Sequence, residues 1–76
     1  MSGRPVKHSV TLTGHRTSIS LEDEFWAALR DIAAEKHKPI NSLIAEIDVE
    51  RGVDTGLASA IRLYILRSLQ ARLGDV

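Results

Sequence analysis

Seventy-six residues make one small domain, and the lack of cysteine excludes disulfides and a thiolate zinc site as its staples. Apolar residues are 43% of the chain with only three aromatics, which suits packed aliphatic helices and leaves a core small enough to need a second copy. Formal net charge is zero but unevenly placed: residues 1–21 hold Arg4, Lys7 and Arg16 with no acid, leaving the remaining 55 at −3. No apolar run approaches the roughly 20 residues of a membrane span, and the N-terminus lacks the apolar stretch of a secretion signal. A cytoplasmic protein with no membrane contact is expected.

Residues 1–15 read as a basic N-terminal arm, partly flexible or strand-like, with Gly3 and Pro5 breaking its first part. Within it Ser9-Val10-Thr11-Leu12-Thr13 alternates, with Val10 and Leu12 on one face. Gly14-His15-Arg16 could fold this run back as a hairpin, but it carries no two-residue turn signal. The preferred reading is a segment that extends or flanks a ribbon made between two chains. Arg16-Thr17-Ser18-Ile19-Ser20-Leu21 then has the period of a strand with one buried and one polar face. Its simplest partner is the same strand of a second copy, since an unpaired strand leaves its edges unsatisfied. Ser18 would then face its own copy and Arg16 would face Ser20 of the other chain, a register fixed by Ile19 and Leu21 reaching the core. On this reading Ile19→Asp abolishes folding, whereas Val10→Asp costs much less.

Helical spacing takes over abruptly. Phe25, Leu29, Ile32 and Ala33 form a stripe that predicts a first helix from Glu22 to Glu35 or Lys36. Ser20 and Asp23 match a capping box, and three acids in the first turn favour the positive helix end. Lys36, His37 and Lys38 complement the negative end before Pro39 stops the pattern. A second helix starts near Pro39 or Ile40 with Ile40, Leu43, Ile44 and Ile47 on its stripe, and Gly52 to Gly56 form a breaker. A third helix runs from about Leu57 to Leu73, with Leu57, Ile61, Tyr64, Ile65, Leu69 and Leu73 as its stripe. Leu63 and Leu66 fall off that stripe, so this helix calls for burial on more than one side. The organisation is therefore an arm (1–15), a core (16–52) and a C-terminal helix extension (53–76), with no repeat or low-complexity segment visible.

From Arg16 to Ile47 the chain resembles the ribbon-helix-helix DNA-binding proteins of the Arc and methionine repressor superfamily, and looks closest to a small bacterial branch of it. Three features carry the resemblance: Thr17–Leu21 passing straight into an acidic helix start, one helix of suitable length, and the opening Ile40-Asn41-Ser42-Leu43-Ile44 of the next. The resemblance implies a mostly α fold with one short N-terminal β-strand, arranged as an intertwined homodimer with an intermolecular antiparallel β-ribbon and an extra C-terminal helix. It implies sequence-specific binding of double-stranded DNA by a transcription regulator, a repressor of a short palindromic operator.

The chemistry agrees with that implication. A two-stranded ribbon fits the major groove, where Arg16, Ser18 and Ser20 become the base-contacting residues and Arg16 can hold guanine bidentately. Phosphate contacts fall to Lys7, Lys38 and the start of the second helix at Ile40, Asn41 and Ser42, where free amides attract anions. Two positions depart from the family pattern: Pro39 replaces a hydroxyl cap, and His37 stands where glycine is common. Ile19, Leu21, Phe25, Trp26, Leu29, Ile44 and Ile47 are the expected dimer core.

His8, His15 and His37 do not share a helical face and have no cysteine beside them, so neither a metal nor another cofactor is expected. Nothing positions a catalytic triad, and no glycine-rich phosphate loop is present, so the chain does not read as an enzyme. The alternative to DNA binding is a protein-interaction or antitoxin-type module that docks a partner through the third helix.

Overall fold

The computed structural model describes residues 3–74, so the outermost residues of the arm and of the extension, 1–2 and 75–76, lie outside it. The chain forms β1 (Val6–Leu12), β2 (His15–Leu21), α1 (Asp23–Glu35), α2 (Ile40–Glu50) and α3 (Leu57–Gly74). A ribbon followed by helices, mostly helical overall, is the class expected from the sequence. Among the described residues no helix is long and apolar enough to cross a membrane.

The ribbon differs from expectation in its partner. β1 and β2 pair antiparallel within one chain, with Val6 opposite Leu21, Ser9 opposite Ser18 and Leu12 opposite His15. There are two strands rather than one, and the segment expected to flank an intermolecular ribbon is itself the partner of Thr17–Leu21. The turn explains why. Thr13 and Gly14 have φ of 48° and 75°, and positive φ at both central residues is the mark of a type I′ hairpin turn. Asn-Gly or Asp-Gly would have announced it; a β-branched threonine seldom enters this region and conceals it. Holding an L-residue there costs about 1 kcal/mol or more. Thr13→Asn is therefore expected to stabilise the fold by about 1 kcal/mol, raising the midpoint of a thermal melt by roughly 4–8 °C.

With the hairpin closed, Val10 and Leu12 are as buried as Ile19 and Leu21 (3%, 5%, 5% and 0% exposed). The expectation that Val10 tolerates a charge is thereby reversed, because a two-residue turn ties β1 to the core as firmly as β2.

α1 starts one residue after Glu22, whose extended backbone (φ −63°, ψ 148°) makes it the N-cap. Ser20 is not the cap: it lies within β2 with an exposed side chain, and no side-chain cap bond forms. The helix start is held instead by the Trp26 N–H donating to the Glu22 carbonyl at 3.0 Å and by Asp23 and Glu24 in its first turn. At the other end the Lys38 N–H reaches the Ala33 carbonyl and the His37 N–H that of Ala34, both at 3.0 Å. His37 sits between them at φ 56°, which is a Schellman closure with histidine in the usual glycine position. Lys36, His37 and Lys38 thus build the turn and lie beyond the last turn of α1.

The inner face of the hairpin rests on the helices, with α2 against β1 and α3 against β2. Leu21, Leu29, Leu43, Ile44, Ile61 and Ile65 are fully buried. Of the expected dimer core, Ile19, Leu21, Leu29, Ile44 and Ile47 are buried inside one chain, while Phe25 and Trp26 are half-buried against them. α3 delivers Ile61 and Ile65 to this same core. Its expected stripe stops short, however: Leu69 and Leu73 are 44% and 74% exposed. α3 has 18 residues against 13 in α1 and 11 in α2, and near its end Arg72 pairs with Glu35 of α1 while Leu69 edges an open groove beside Ala28 and Ile32.

Candidate nucleic-acid interface

The two-residue period of each strand sorts the hairpin into two faces. The outer face carries Lys7, Ser9 and Thr11 from β1 and Arg16, Ser18 and Ser20 from β2, all exposed. They meet in three rungs: Lys7 with Ser20, Ser9 with Ser18, and Thr11 with Arg16. The three residues expected to contact bases therefore share one surface. Lys7, expected on phosphate, is part of that surface. Ser9 and Thr11 are additions, because their alternation was visible in the sequence but only the register places them beside Ser18 and Arg16. The face holds two cations and no acid.

Beneath it the inner face is apolar except for His8, opposite Ile19, Thr17, opposite Val10, and the exposed His15 beside the turn. The His8 ring stacks on Trp26 with centroids 3.9 Å apart and planes within 4°. Its Nε2 is a buried polar atom with no hydrogen-bond partner among the described residues. The stack fastens the start of β1 to α1.

The end of β2 is fastened to α3. Arg62 donates to the Glu22 carboxylate from Nε at 3.0 Å and Nη2 at 2.7 Å, and its guanidinium lies 5.6 Å from the centre of the Phe25 ring. Chiefly through the Arg62 hydrogen bonds, and secondarily through its own backbone N–H, the Glu22 carboxyl is held below its ordinary value of 4.5. A lowered folded-state value stabilises the fold above 4.5, and the contribution is lost as pH falls through the folded value. In melts recorded from pH 7 to pH 3, Glu22→Gln is expected to lose less of its midpoint over the acidic half than the unaltered chain does. Equal losses would show that the pair is not formed in solution.

At the second expected contact region, Pro39 is the N-cap of α2 and provides no side-chain cap bond. The Ser42 and Leu43 amides both donate to the Pro39 carbonyl, at 3.0 and 3.2 Å. The Ile40 and Asn41 amides have no backbone acceptor among the described residues. Lys38 Nζ is 2.6 Å from Glu46, so its charge is engaged within the chain.

Away from the ribbon, α3 shows a row of partly exposed leucines, Leu63, Leu66, Leu69 and Leu73. Leu63 also edges an open cleft of about 390 Å³ between α2 and α3, bordered by Leu43, Ile47, Tyr64, Glu50 and Arg67.

A ribbon with one polar and one core-facing side, running directly into α1 and α2, defines a ribbon-helix-helix protein, here with a third helix closing the core. The chain belongs to the ribbon-helix-helix domain family, whose profile matches residues 5–69, from the start of the hairpin to within five residues of the end of α3. Proteins of this family are generally DNA-binding transcription regulators or antitoxins, and are typically not enzymes. No curated protein and no solved structure matches the chain.

Proposed function

We propose that this protein is a sequence-specific double-stranded DNA-binding transcription regulator, a homodimeric, non-enzymatic repressor of the bacterial cytoplasm. The observation that carries this reading is the outer face of the hairpin: six exposed polar side chains, two of them cationic, on a ribbon backed by a closed apolar core. Strands about 4.8 Å apart fit a major groove about 12 Å wide, whose base edges are all distinguishable by hydrogen bonding. Arg16 takes guanine, and the hydroxyls of Ser18 and Ser20 donate or accept at neighbouring edges. The Ile40 and Asn41 amides, the Ser42 side chain and Lys38 hold phosphate beside the groove, with Lys38 exchanging Glu46 for the DNA backbone.

The test is selection of duplexes from a random pool at low salt, followed by affinity measurements across a salt series. One sequence is expected to be enriched, with binding that weakens steeply as salt rises. Arg16→Ala is expected to cost about 1–3 kcal/mol of discrimination at one guanine. A pool in which nothing is enriched refutes the proposal.

A second reading, an antitoxin-type or other protein-interaction module, is favoured by the leucine row on α3, from Leu63 at 42% exposed to Leu73 at 74%. Light scattering on the full chain and on a Leu66→Glu, Leu73→Glu variant separates the cases. A dimer that becomes a folded monomer assigns the row to a second copy; a dimer unchanged by the substitutions leaves it for a different protein.

A further inference from the structure

The register of the hairpin exposes a likeness between its strands. With Ser9 opposite Ser18, a local two-fold axis through that rung carries each residue of β1 onto the residue nine positions later in β2. Lys7 falls on Arg16, Ser9 on Ser18, Val10 on Ile19, Thr11 on Ser20 and Leu12 on Leu21. Burial follows the same order along both strands: exposed, exposed, half-buried, exposed, buried, exposed, buried. Charge, hydroxyl and core positions coincide in five of the seven pairs, Val6 with His15 and His8 with Thr17 being the exceptions, so the outer face reads basic, serine, hydroxyl on each strand in opposite directions.

We propose that β1–β2 is by itself a pseudo-symmetric DNA-reading ribbon, in which Lys7, Ser9 and Thr11 are base-contacting counterparts of Arg16, Ser18 and Ser20. This rests on the DNA-binding reading above and specifies its ligand: a short, near-palindromic duplex element read by one chain. Width supports it. Pairing β2 with β2 of a second copy would make a four-stranded sheet with outer strands about 14 Å apart before side chains are counted, too wide for a groove of about 12 Å. One hairpin fits. The Lys7 and Arg16 rungs are four residues apart along the strands, about 14 Å, which spans about four base-pair steps of 3.4 Å. The two cations therefore address purines on opposite DNA strands about four steps apart. The symmetry is imperfect in a readable way: Arg16 fits guanine bidentately where Lys7 offers a point charge, and the Thr11 methyl can meet a thymine methyl where Ser20 has none.

The experiment repeats the duplex selection with full-length Lys7→Ala, Arg16→Ala and Lys7→Arg chains. Arg16→Ala should erase preference at one arm of the element, and Lys7→Ala at the arm related by the dyad, each by roughly 5- to 140-fold. Lys7→Arg should sharpen the weaker arm and make the element more nearly palindromic. If Lys7→Ala instead lowers affinity for all sequences alike and reduces the salt slope by about one, Lys7 holds phosphate and the inference is overturned. It is also overturned if Arg16→Ala erases both arms at once, the signature of a ribbon built from two β2 strands. Enrichment of no sequence by the unaltered chain removes the DNA-binding reading itself, and this inference with it.

Discussion

Val10→Asp is expected to unfold the protein as completely as Ile19→Asp. Both side chains lie on the inner face of the hairpin, 3% and 5% exposed, in one continuous apolar core. Among the described residues no buried one is polar or charged, so a carboxylate at position 10 would meet no buried counter-charge there. An unpaired buried charge costs several kcal/mol even after it neutralises, while a 76-residue domain holds only about 4–11 kcal/mol in total. Thr11→Asp, one residue along on the outer face, leaves the core intact and should melt cooperatively near the unaltered chain. Circular dichroism melts of the three variants decide the matter. A cooperative Val10→Asp melt would show that β1 is not paired with β2 in solution.

A chain ending at Gly52 is expected not to fold. It would lack Ile61 and Ile65, 0% and 2% exposed, together with the half-buried Leu57 and Tyr64 packed beside them. Burying each large apolar side chain contributes about 1.5–3 kcal/mol, so these four alone amount to much of what a domain this size retains. The truncation also removes Arg62, which ties Glu22 and Phe25 to α3. A well-dispersed amide spectrum and a cooperative melt from residues 1–52 would contradict the assignment of α3 to the core.

Much of this arrangement was legible in the residues. Leu29, Ile32 and Ala33, then Leu43, Ile44 and Ile47, recur at helical spacing and fill the buried faces of α1 and α2. Arg16, Ser18 and Ser20 alternate with Ile19 and Leu21 and do face away from the core. Three points escaped for local reasons. The hairpin is closed by Thr13-Gly14, a pair in which threonine adopts a conformation normally left to Asn, Asp or Gly. Ser20 looks like a helix cap by spacing, but the strand runs through Leu21 and the backbone turns only at Glu22. Leu69 and Leu73 continue the α3 stripe in sequence, yet both stay exposed, because α1 meets this end of α3 through the Arg72–Glu35 ion pair beside an open groove rather than through packed apolar side chains. Lys7 could be read as basic but not placed, because its neighbours on the outer face follow from the register alone.

The claim that the hairpin's outer face is the nucleic-acid surface is tested most directly by amide chemical shifts of the labelled full-length chain, titrated with a selected duplex. Shifts centred on Lys7, Ser9, Thr11, Arg16, Ser18 and Ser20, with a lesser set at Ile40 and Asn41, are the predicted result. Shifts confined to the α3 leucines, or none while the duplex is shown to bind, would contradict it.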